Sequence, residues 1–421
     1  MRRIGIGGSV LVLALWLVPA SGAGAATSFA KNPLPAGGTP LTVAVGNLDG
    51  KKGPDLVTGL YENALSVRLN NGNGTFRAAK LYPTGCPVFQ VELGDVTSNG
   101  TNLKQDGKLD AAVLCVAFSG DLKTLGRLAG NGRGGFGPLV PSPGLSPGAL
   151  WSNQQPQTFT LARLRKSGPP VLISPRAGSI LGPAPFYIRQ YYNELCASYD
   201  WVTHDCLSVP AGWPSVAGPI VSRDVSGGGL EEVITSGGAK GLLAFGVESG
   251  RWAVSTRDFG PIPAGTDFTA IATGDLGSDG HPDIVTAAGT SGAAPGRSPA
   301  GRVSVLKGTS GGVADRPAKT FASAPGVLSV AVGDFDRDGK RDLIGTSWKY
   351  NGTTTTAAAF VQRGDGAGKL RAPQIVPLAT TSAFSRAPIR VADFDSDGRP
   401  DAVAIAAGKL QVLLNKSTAK H

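Results

Sequence analysis

Apolar stretches rich in β-branched residues alternate with short acidic turns along most of this chain. Seven times, an apolar run leads into an acidic, glycine-bearing turn and is followed by another apolar run. The clearest copies are 330–344 and 389–403, and a third is 271–285. Short apolar runs bounded by glycine-rich turns are typical of strands, and no segment shows the spacing of an amphipathic helix. The pattern predicts an all-β chain.

The spacing of the acidic turns indicates how the strands are grouped. The turns begin near residues 47, 95, 163, 224, 275, 334 and 393, at intervals of 48 to 68 residues. A second hairpin signal follows many of them, as in 69–76 and 128–136, where Asn-Gly and Gly-Gly supply the positive φ of tight hairpins. Two hairpins per repeat make four strands, so the spacing predicts a seven-bladed β-propeller of four-stranded antiparallel blades.

The two ends of the chain are predicted to share one blade. The last apolar run, 412–415, is not followed by the outer strand that the other repeats have. Residues 28–35 resemble 75–83, which form the predicted outer strand before the second acidic turn. A stack of sheets that stays open leaves two unpaired edges. We therefore expect the N-terminal strand to complete the last blade and close the ring.

These repeats resemble the FG-GAP or VCBS repeat family, whose propellers are related to the head domain of integrin α subunits. The resemblance covers nearly the whole chain after residue 25, and it is weak between about residues 140 and 240. It implies one propeller domain over 26–421, with a divergent, aromatic-rich third-blade region at about 140–215.

The acidic turns match the pattern D-x-D-x-D-G-x-x-D, which suits a calcium ion. Side chains at positions one, three, five and nine converge with the backbone carbonyl of position seven, and glycine at position six permits the reversal. Hard oxygen ligands in a flexible set of six or seven favour Ca²⁺ over Mg²⁺. The two complete predicted sets are Asp334, Asp336, Asp338, Lys340 and Asp342, and Asp393, Asp395, Asp397, Arg399 and Asp401.

Other turns keep only part of this pattern. The third predicted site has Asp275, Asp279, His281 and Asp283, with Gly277 at position three; the second-blade site has Asp95, Thr97, Asp106, Lys108 and Asp110 around an insertion. In the first blade, Lys51 stands at position five, and in the fourth, Gly228 does. Whether calcium occupies these last two turns is left open.

The first residues and the cysteines point to export. Arg2 and Arg3, an apolar stretch and the small residues 21–25 have the layout of a secretory signal peptide over 1–25. Four cysteines in an exported chain suggest two disulfides and allow three pairings. The closest pairings in sequence, Cys86 with Cys115 and Cys196 with Cys206, are favoured.

Aromatic residues concentrate in the divergent region. They are Tyr187, Tyr191, Tyr192, Tyr199 and Trp201, close to the Cys196 and Cys206 pair. Such a loop either stacks on sugar rings or anchors a protein partner, or it folds down and packs over the third blade. Both interpretations stay open.

Charge and residue content limit the function. The net charge is +10, but the basic residues are scattered, with no nucleic-acid-binding motif, and no later apolar run is long enough to span a bilayer. No catalytic constellation stands out. We expect a secreted, monomeric, calcium-binding propeller that acts as an extracellular binding or scaffold module for a carbohydrate or protein. The alternative is a propeller-type polysaccharide lyase or glycosidase.

Overall fold

The computed structural model describes a chain of β-strands joined by turns. The residues that it describes are 27–51, 53–96, 105–116, 123–141, 158–164, 166, 170–181, 189–198, 204–208, 219–236, 241–248, 251–254, 266–290, 300–310, 312–313, 318–350, 354–381 and 388–418. No α-helix occurs within these ranges. The predicted all-β class is confirmed.

The strands form small antiparallel sheets of four, which we number in chain order. Sheet 1 contains β2 (Pro40–Gly46), β3 (Asp55–Leu60), β4 (Ala64–Arg68) and β5 (Lys80–Pro83). Sheet 2 contains β6 (Val88–Gly94), β7 (Asp110–Val116), β8 (Lys123–Gly130) and β9 (Phe136–Pro141). Sheet 3 contains β10 (Thr160–Ala162), β11 (Val171–Leu181), β12 (Arg189–Ser198) and β13 (His204–Ser208). Sheet 4 contains β14 (Ile220–Arg223), β15 (Glu232–Ser236), β16 (Leu242–Glu248) and β17 (Arg251–Val254).

The C-terminal half continues the same arrangement. Sheet 5 contains β18 (Thr266–Gly274), β19 (Asp283–Thr290), β20 (Gly301–Leu306) and β23 (Lys319–Ser323), with a two-stranded appendage of β21 (Gly308–Thr309) and β22 (Gly312–Val313). Sheet 6 contains β24 (Val327–Gly333), β25 (Asp342–Tyr350), β26 (Thr355–Gln362) and β27 (Gln374–Thr381). Sheet 7 contains β28 (Arg390–Ala392), β29 (Asp401–Ala406), β30 (Lys409–Asn415) and β1 (Phe29–Pro35). The architecture is a β-propeller of four-stranded blades.

Burial follows the position of a strand within its sheet. Every residue of β3 and of β29 is buried, whereas the outer strands β5 and β1 expose alternate or most residues. A middle strand packed on both faces needs a continuous apolar run, but an edge strand gains from polar residues, which discourage pairing with other chains. This difference explains why the apolar runs in the sequence mark the middle strands best.

The core lies between neighbouring sheets. Val57 and Leu65 of sheet 1 cluster with Val91 and Val113 of sheet 2, and similar clusters join sheets 2 and 3, 4 and 5, 5 and 6, and 6 and 7. A further cluster brings residues of sheet 1, including Leu56, against Phe394 and other residues of sheet 7. The first and last sheets therefore contact each other.

The N-terminal strand pairs where the sequence predicts it. All seven residues of β1 pair antiparallel with β30, from Phe29 opposite Asn415 to Pro35 opposite Lys409. The predicted likeness of 28–35 to 75–83 also holds in packing. Phe29 lies 6.2 Å from Phe335 between ring centroids, and Phe76 lies 5.7 Å from Phe394. In both pairs, a phenylalanine in or just before an outer strand packs on the phenylalanine of an acidic turn in another sheet.

One predicted disulfide is confirmed. Cys86 and Cys115 are bonded, with a Cα–Cα distance of 5.5 Å, and they tie the segment before β6 to β7. Cys196 and Cys206 occupy directly opposite backbone positions of β12 and β13. Their side chains lie outside the described part of the structure, so that pairing stays a prediction, as does the signal peptide over 1–25.

Replacing both Cys86 and Cys115 with alanine should lower the free energy of unfolding by about 3 kcal/mol. The bond closes a loop of 29 residues and restricts the unfolded chain. Urea denaturation of the double variant and the unchanged protein, both under oxidising conditions, measures the difference. Equal midpoints and slopes would show that the bond adds nothing to stability.

No helix in the described residues is long and apolar enough to cross a bilayer.

Candidate metal centre

The acidic turns occupy equivalent places in their sheets. Each one joins the first strand of a sheet to the second, as between β18 and β19, β24 and β25, and β28 and β29. Because the sheets share one connectivity, these turns fall at one end of the propeller. The sequence repeat thus becomes a spatial repeat of carboxylates.

Two turns bring three carboxylates together. Asp334, Asp336 and Asp338 in sheet 6 offer oxygen atoms within 4.8 Å of one another, and so do Asp393, Asp395 and Asp401 in sheet 7. The fourth predicted carboxylate of each set, Asp342 or Asp397, falls outside these groups of three. Three of the four carboxylates predicted for each turn therefore converge.

The first aspartate of each turn shapes the turn itself. Asp393 accepts hydrogen bonds from the amides of Asp397 and Gly398, at 3.1 and 2.8 Å, and Asp275, Asp95 and Asp224 do the same in their own turns. Glycine at position six has a positive φ, for example 79° at Gly398. Ser396, at position four, is also left-handed, with φ of 59°. The glycine requirement was predicted, but the left-handed position four was not.

A second aspartate closes each turn and ties it to the rest of the sheet. Asp401 accepts the amide of Phe394 at 2.8 Å with Oδ2, and the amide of Asn415 at 2.6 Å with Oδ1. We call the residues at this place the loop-closing aspartates. They are Asp55, Asp110, Asp283, Asp342 and Asp401, and each is buried and bridges its turn to the end of the third strand of its sheet in this way.

Two of the loop-closing aspartates have strongly raised pKa values. Burial raises the pKa of Asp342 to about 7, against the lowering effect of its two backbone hydrogen bonds, and nearby Asp336 and Asp338 raise it further. Burial, with Asp395 and Asp397, likewise raises the pKa of Asp401 to about 7. A cation at these turns would favour the charged carboxylates.

Individual oxygen atoms in the clusters lack hydrogen-bond partners. Asp334 Oδ1 and Asp395 Oδ1 are buried without one. A buried carboxylate oxygen without a donor is costly, and a metal ion would satisfy it. The residues of the sheet 6 and sheet 7 turns therefore fit a hard divalent cation.

Basic side chains approach the same carboxylates, which the sequence did not reveal. In sheet 7, Lys416 Nζ contacts Asp395 and lies 3.9 Å from Asp397, and in sheet 6, Arg363 lies 3.7 Å from Asp336. Further pairs are Lys51 with Asp49, Lys108 with Asp106, Lys307 with Asp279, Lys340 with Asp338, and Arg399 with Asp397. Lys307, Arg363 and Lys416 each come directly after the third strand of their sheet, and that shared position was the available signal.

The weaker predicted sites are less well assembled. The three carboxylates of the sheet 5 turn, Asp275, Asp279 and Asp283, do not converge within 4.8 Å, and neither do Asp95, Asp106 and Asp110 in sheet 2. His281, Lys108, Lys340 and Arg399, predicted to offer carbonyl groups, donate their amides to the position-five aspartates of their turns. Thr97 lies outside the described residues.

The predicted aromatic site is not described at the level of side chains. Tyr187, Tyr199 and Trp201 lie outside the described residues, and Tyr191 and Tyr192 are placed only as backbone positions on β12. Its role as a ligand-binding surface stays a prediction.

Comparison with known proteins agrees with the repeat. A family model of the FG-GAP repeat matches residues 268–306, which run from β18 through the sheet 5 acidic turn to the end of β20. The chain is a β-propeller with an FG-GAP repeat match in sheet 5. The FG-GAP repeat is thus three strands of one blade together with its acidic turn, the unit that the sequence pattern singled out.

Solved structures are similar to this propeller at low identity. A crystal structure of BBS1N in complex with ARL6DN, soaked with lead, has a TM-score of 0.48 and 11% identity, covering 92% of this chain and 98% of that chain. The S. cerevisiae core factor has a TM-score of 0.47 and 8% identity, covering 96% of this chain and 63% of that one. A search of curated proteins found no match.

Proposed function

We propose that this protein is a secreted, calcium-stabilised, seven-bladed propeller that serves as an extracellular binding or scaffold module for a carbohydrate or protein ligand. The observation that carries the metal part is the pair of buried oxygens without donors, Asp334 Oδ1 and Asp395 Oδ1, each inside a cluster of three carboxylates.

Calcium is the cation that these turns suit best. All side-chain ligands are carboxylates, and position seven adds a backbone carbonyl, so the set is hard and flexible. In sheet 6 the ion would be held by Asp334, Asp336 and Asp338, and in sheet 7 by Asp393, Asp395 and Asp401. Binding requires Arg363 and Lys416 to withdraw from the carboxylates that they contact. This exchange replaces one cation with another of higher charge.

A closed ring of seven blades is supported by contacts between the ends of the propeller. The carbonyl of Phe394 in sheet 7 accepts hydrogen bonds from Gly74 N at 2.9 Å and from Asn70 Nδ2 at 3.0 Å, both in sheet 1. The same kind of bond joins Gly134 to Leu48, Gly368 to Leu276, and Asn415 to Phe335. Sheet 7 thus uses its turn toward sheet 1 as earlier sheets use theirs toward the next.

A rigid ring suits recognition because its loops are held in place before a ligand arrives. Calcium, on this proposal, stabilises the blades and takes no part in chemistry. The FG-GAP propeller is generally a protein-binding fold, and function depends on the residues carried by its loops.

The test is a panel of extracellular glycans and proteins, with binding and product formation measured on the same calcium-loaded sample. We expect saturable binding to one ligand class, with no product from any glycan. Matched samples are the chelated protein and a variant with Asp336→Asn and Asp395→Asn. Turnover of a glycan would overturn the binding role in favour of a lyase or glycosidase, and absence of binding across both panels would overturn it outright.

A further inference from the structure

A cavity of about 530 Å³ runs along the axis of the propeller. Residues from the first strands of the sheets, or from just before those strands, line it. They include Thr42, Gln90, Glu92, Thr160, Ile220, Thr269, Ser329 and Arg390. A cavity of this volume is within the range of small-molecule sites in proteins. It is separate from the acidic turns, and neither the repeat nor its metal accounts for it.

Two charged residues line the cavity, and they differ in how far the protein satisfies them. Glu92, on β6, accepts a hydrogen bond from Gln90 Nε2 at 3.2 Å and another from the amide of Leu161 at 3.1 Å. Both of its carboxylate oxygens are therefore in use. The Gln90 amide is used as well, because it also bonds the backbone of Phe159 and the hydroxyl of Thr158.

Arg390, the first residue of β28, has fewer hydrogen-bond partners among the described residues than Glu92 has. Its Nη1 donates to the carbonyl of Ile389, its neighbour in the chain, at 3.5 Å, which is a long contact. Among the described residues, no carboxylate lies within ion-pair distance of it. A guanidinium has five N–H donors, so most of the donor capacity of Arg390 is available to the cavity.

The pKa shifts of Arg390 and Glu92 show that both charged groups are buried and close enough to influence each other. Burial lowers the pKa of Arg390 and raises the pKa of Glu92, and each of these shifts is opposed by the charge of the other residue. The two charges thus interact electrostatically across the cavity without forming an ion pair. Screening by water is weak in such a place, so a charge brought close to Arg390 interacts strongly.

We infer that the axial cavity is a binding site for a small molecule that carries an oxyanion, with Arg390 as the group that holds the oxyanion. The planar guanidinium matches two oxygens of a carboxylate or a phosphate group, and either group would accept hydrogen bonds from N–H donors of Arg390 that have no acceptor among the residues that the structure describes. The threonine and serine residues of the wall offer further polar contacts, for example Thr42 and Thr160.

A cationic or wholly apolar ligand fits less well. The carboxylate that would attract a cation already accepts two hydrogen bonds from the protein. An apolar ligand would cover the donors of Arg390 without replacing the water on them, which costs free energy. The binding site is therefore assigned to anions, because the hydrogen-bonding capacity of Glu92 is used within the protein and, in the described part of the chain, most of that of Arg390 is not.

The experiment measures binding of inorganic phosphate and, separately, of succinate, which binds calcium only weakly, to the purified protein dialysed free of unbound calcium, by calorimetry, with melting temperature as a second readout at about 20 mM of each. We expect saturable binding of at least one. Arg390→Gln should weaken it by at least about tenfold, whereas Glu92→Gln, which removes a repelling charge, should strengthen it. The source of the oxyanion follows from which probe binds.

A matched control removes the same charge elsewhere. Arg302 lies exposed on β20, so Arg302→Gln should leave binding unchanged. Circular dichroism establishes that each variant is folded, and Arg390→Lys, which keeps the charge but not the planar fork, gives an intermediate affinity. Equal binding by the unchanged protein and the Arg390→Gln variant, or no binding of either probe, would overturn the assignment.

Discussion

Calcium added to chelator-treated protein should raise its melting temperature by about 10 °C. A ligand that binds the folded state alone, at a concentration a thousandfold above its Kd, stabilises that state by about 4 kcal/mol per site. Two clusters of three carboxylates, in sheets 6 and 7, make about 8 kcal/mol available, and a large domain converts each kcal/mol into one or two degrees. Differential scanning calorimetry with and without calcium measures the shift.

Variants separate the two sites. Asp336→Asn should remove about half of the shift through the sheet 6 turn, and Asp395→Asn about half through the sheet 7 turn, since each loses a central carboxylate. Magnesium at the same concentration is the ionic control and should give a smaller shift, because it requires a stricter octahedral geometry. A melting temperature that does not change when calcium is added, or a full shift in the variant that carries both Asp336→Asn and Asp395→Asn, would contradict calcium binding by these turns.

Replacing Asp401 with alanine should destabilise the protein by about 4 kcal/mol even in chelator. The substitution leaves the buried amides of Phe394 and Asn415 without an acceptor. Asn415 also donates through Nδ2 to the carbonyl of Phe335, so the loss reaches the contact between sheets 6 and 7. Denaturant unfolding in excess chelator measures the loss of stability separately from any loss of metal.

Asp397→Ala is the matched control in the same turn. Asp397 is partly exposed and bonds the amide of Arg399, but it makes no contact comparable to the bridge of Asp401. We expect its effect in chelator to stay within about 1 kcal/mol. Similar losses for the two variants would mean that the loop-closing aspartates serve as ligands alone and do not hold the sheet together.

The two aspartate classes show how far sequence reasoning reached. The pattern D-x-D-x-D-G-x-x-D treats all its aspartates as ligands of one ion. The structure shows a second role, because Asp342 and Asp401 also accept, with both oxygens, backbone amides that are far apart in sequence, while Asp401 still belongs to the sheet 7 cluster. One of these, Asn415, lies fourteen residues from Asp401, beyond the turn that the pattern covers.

The sequence by itself determined the strand repeat, the turns and the identity of the aspartates at those turns, as well as the pairing of the N-terminal strand with β30, and it favoured the Cys86–Cys115 bond among three possible pairings. These follow from apolar runs, from the φ that glycine allows, and from likeness between repeats, all of which are local. The tertiary structure alone decided which lysines and arginines face the carboxylates, and that Arg390 and Glu92 share one cavity. Lys307, Arg363 and Lys416 follow the third strands of their sheets, well beyond the acidic turns that they contact, and Arg390 and Glu92 belong to different sheets. Contacts between such distant positions follow no period in the sequence.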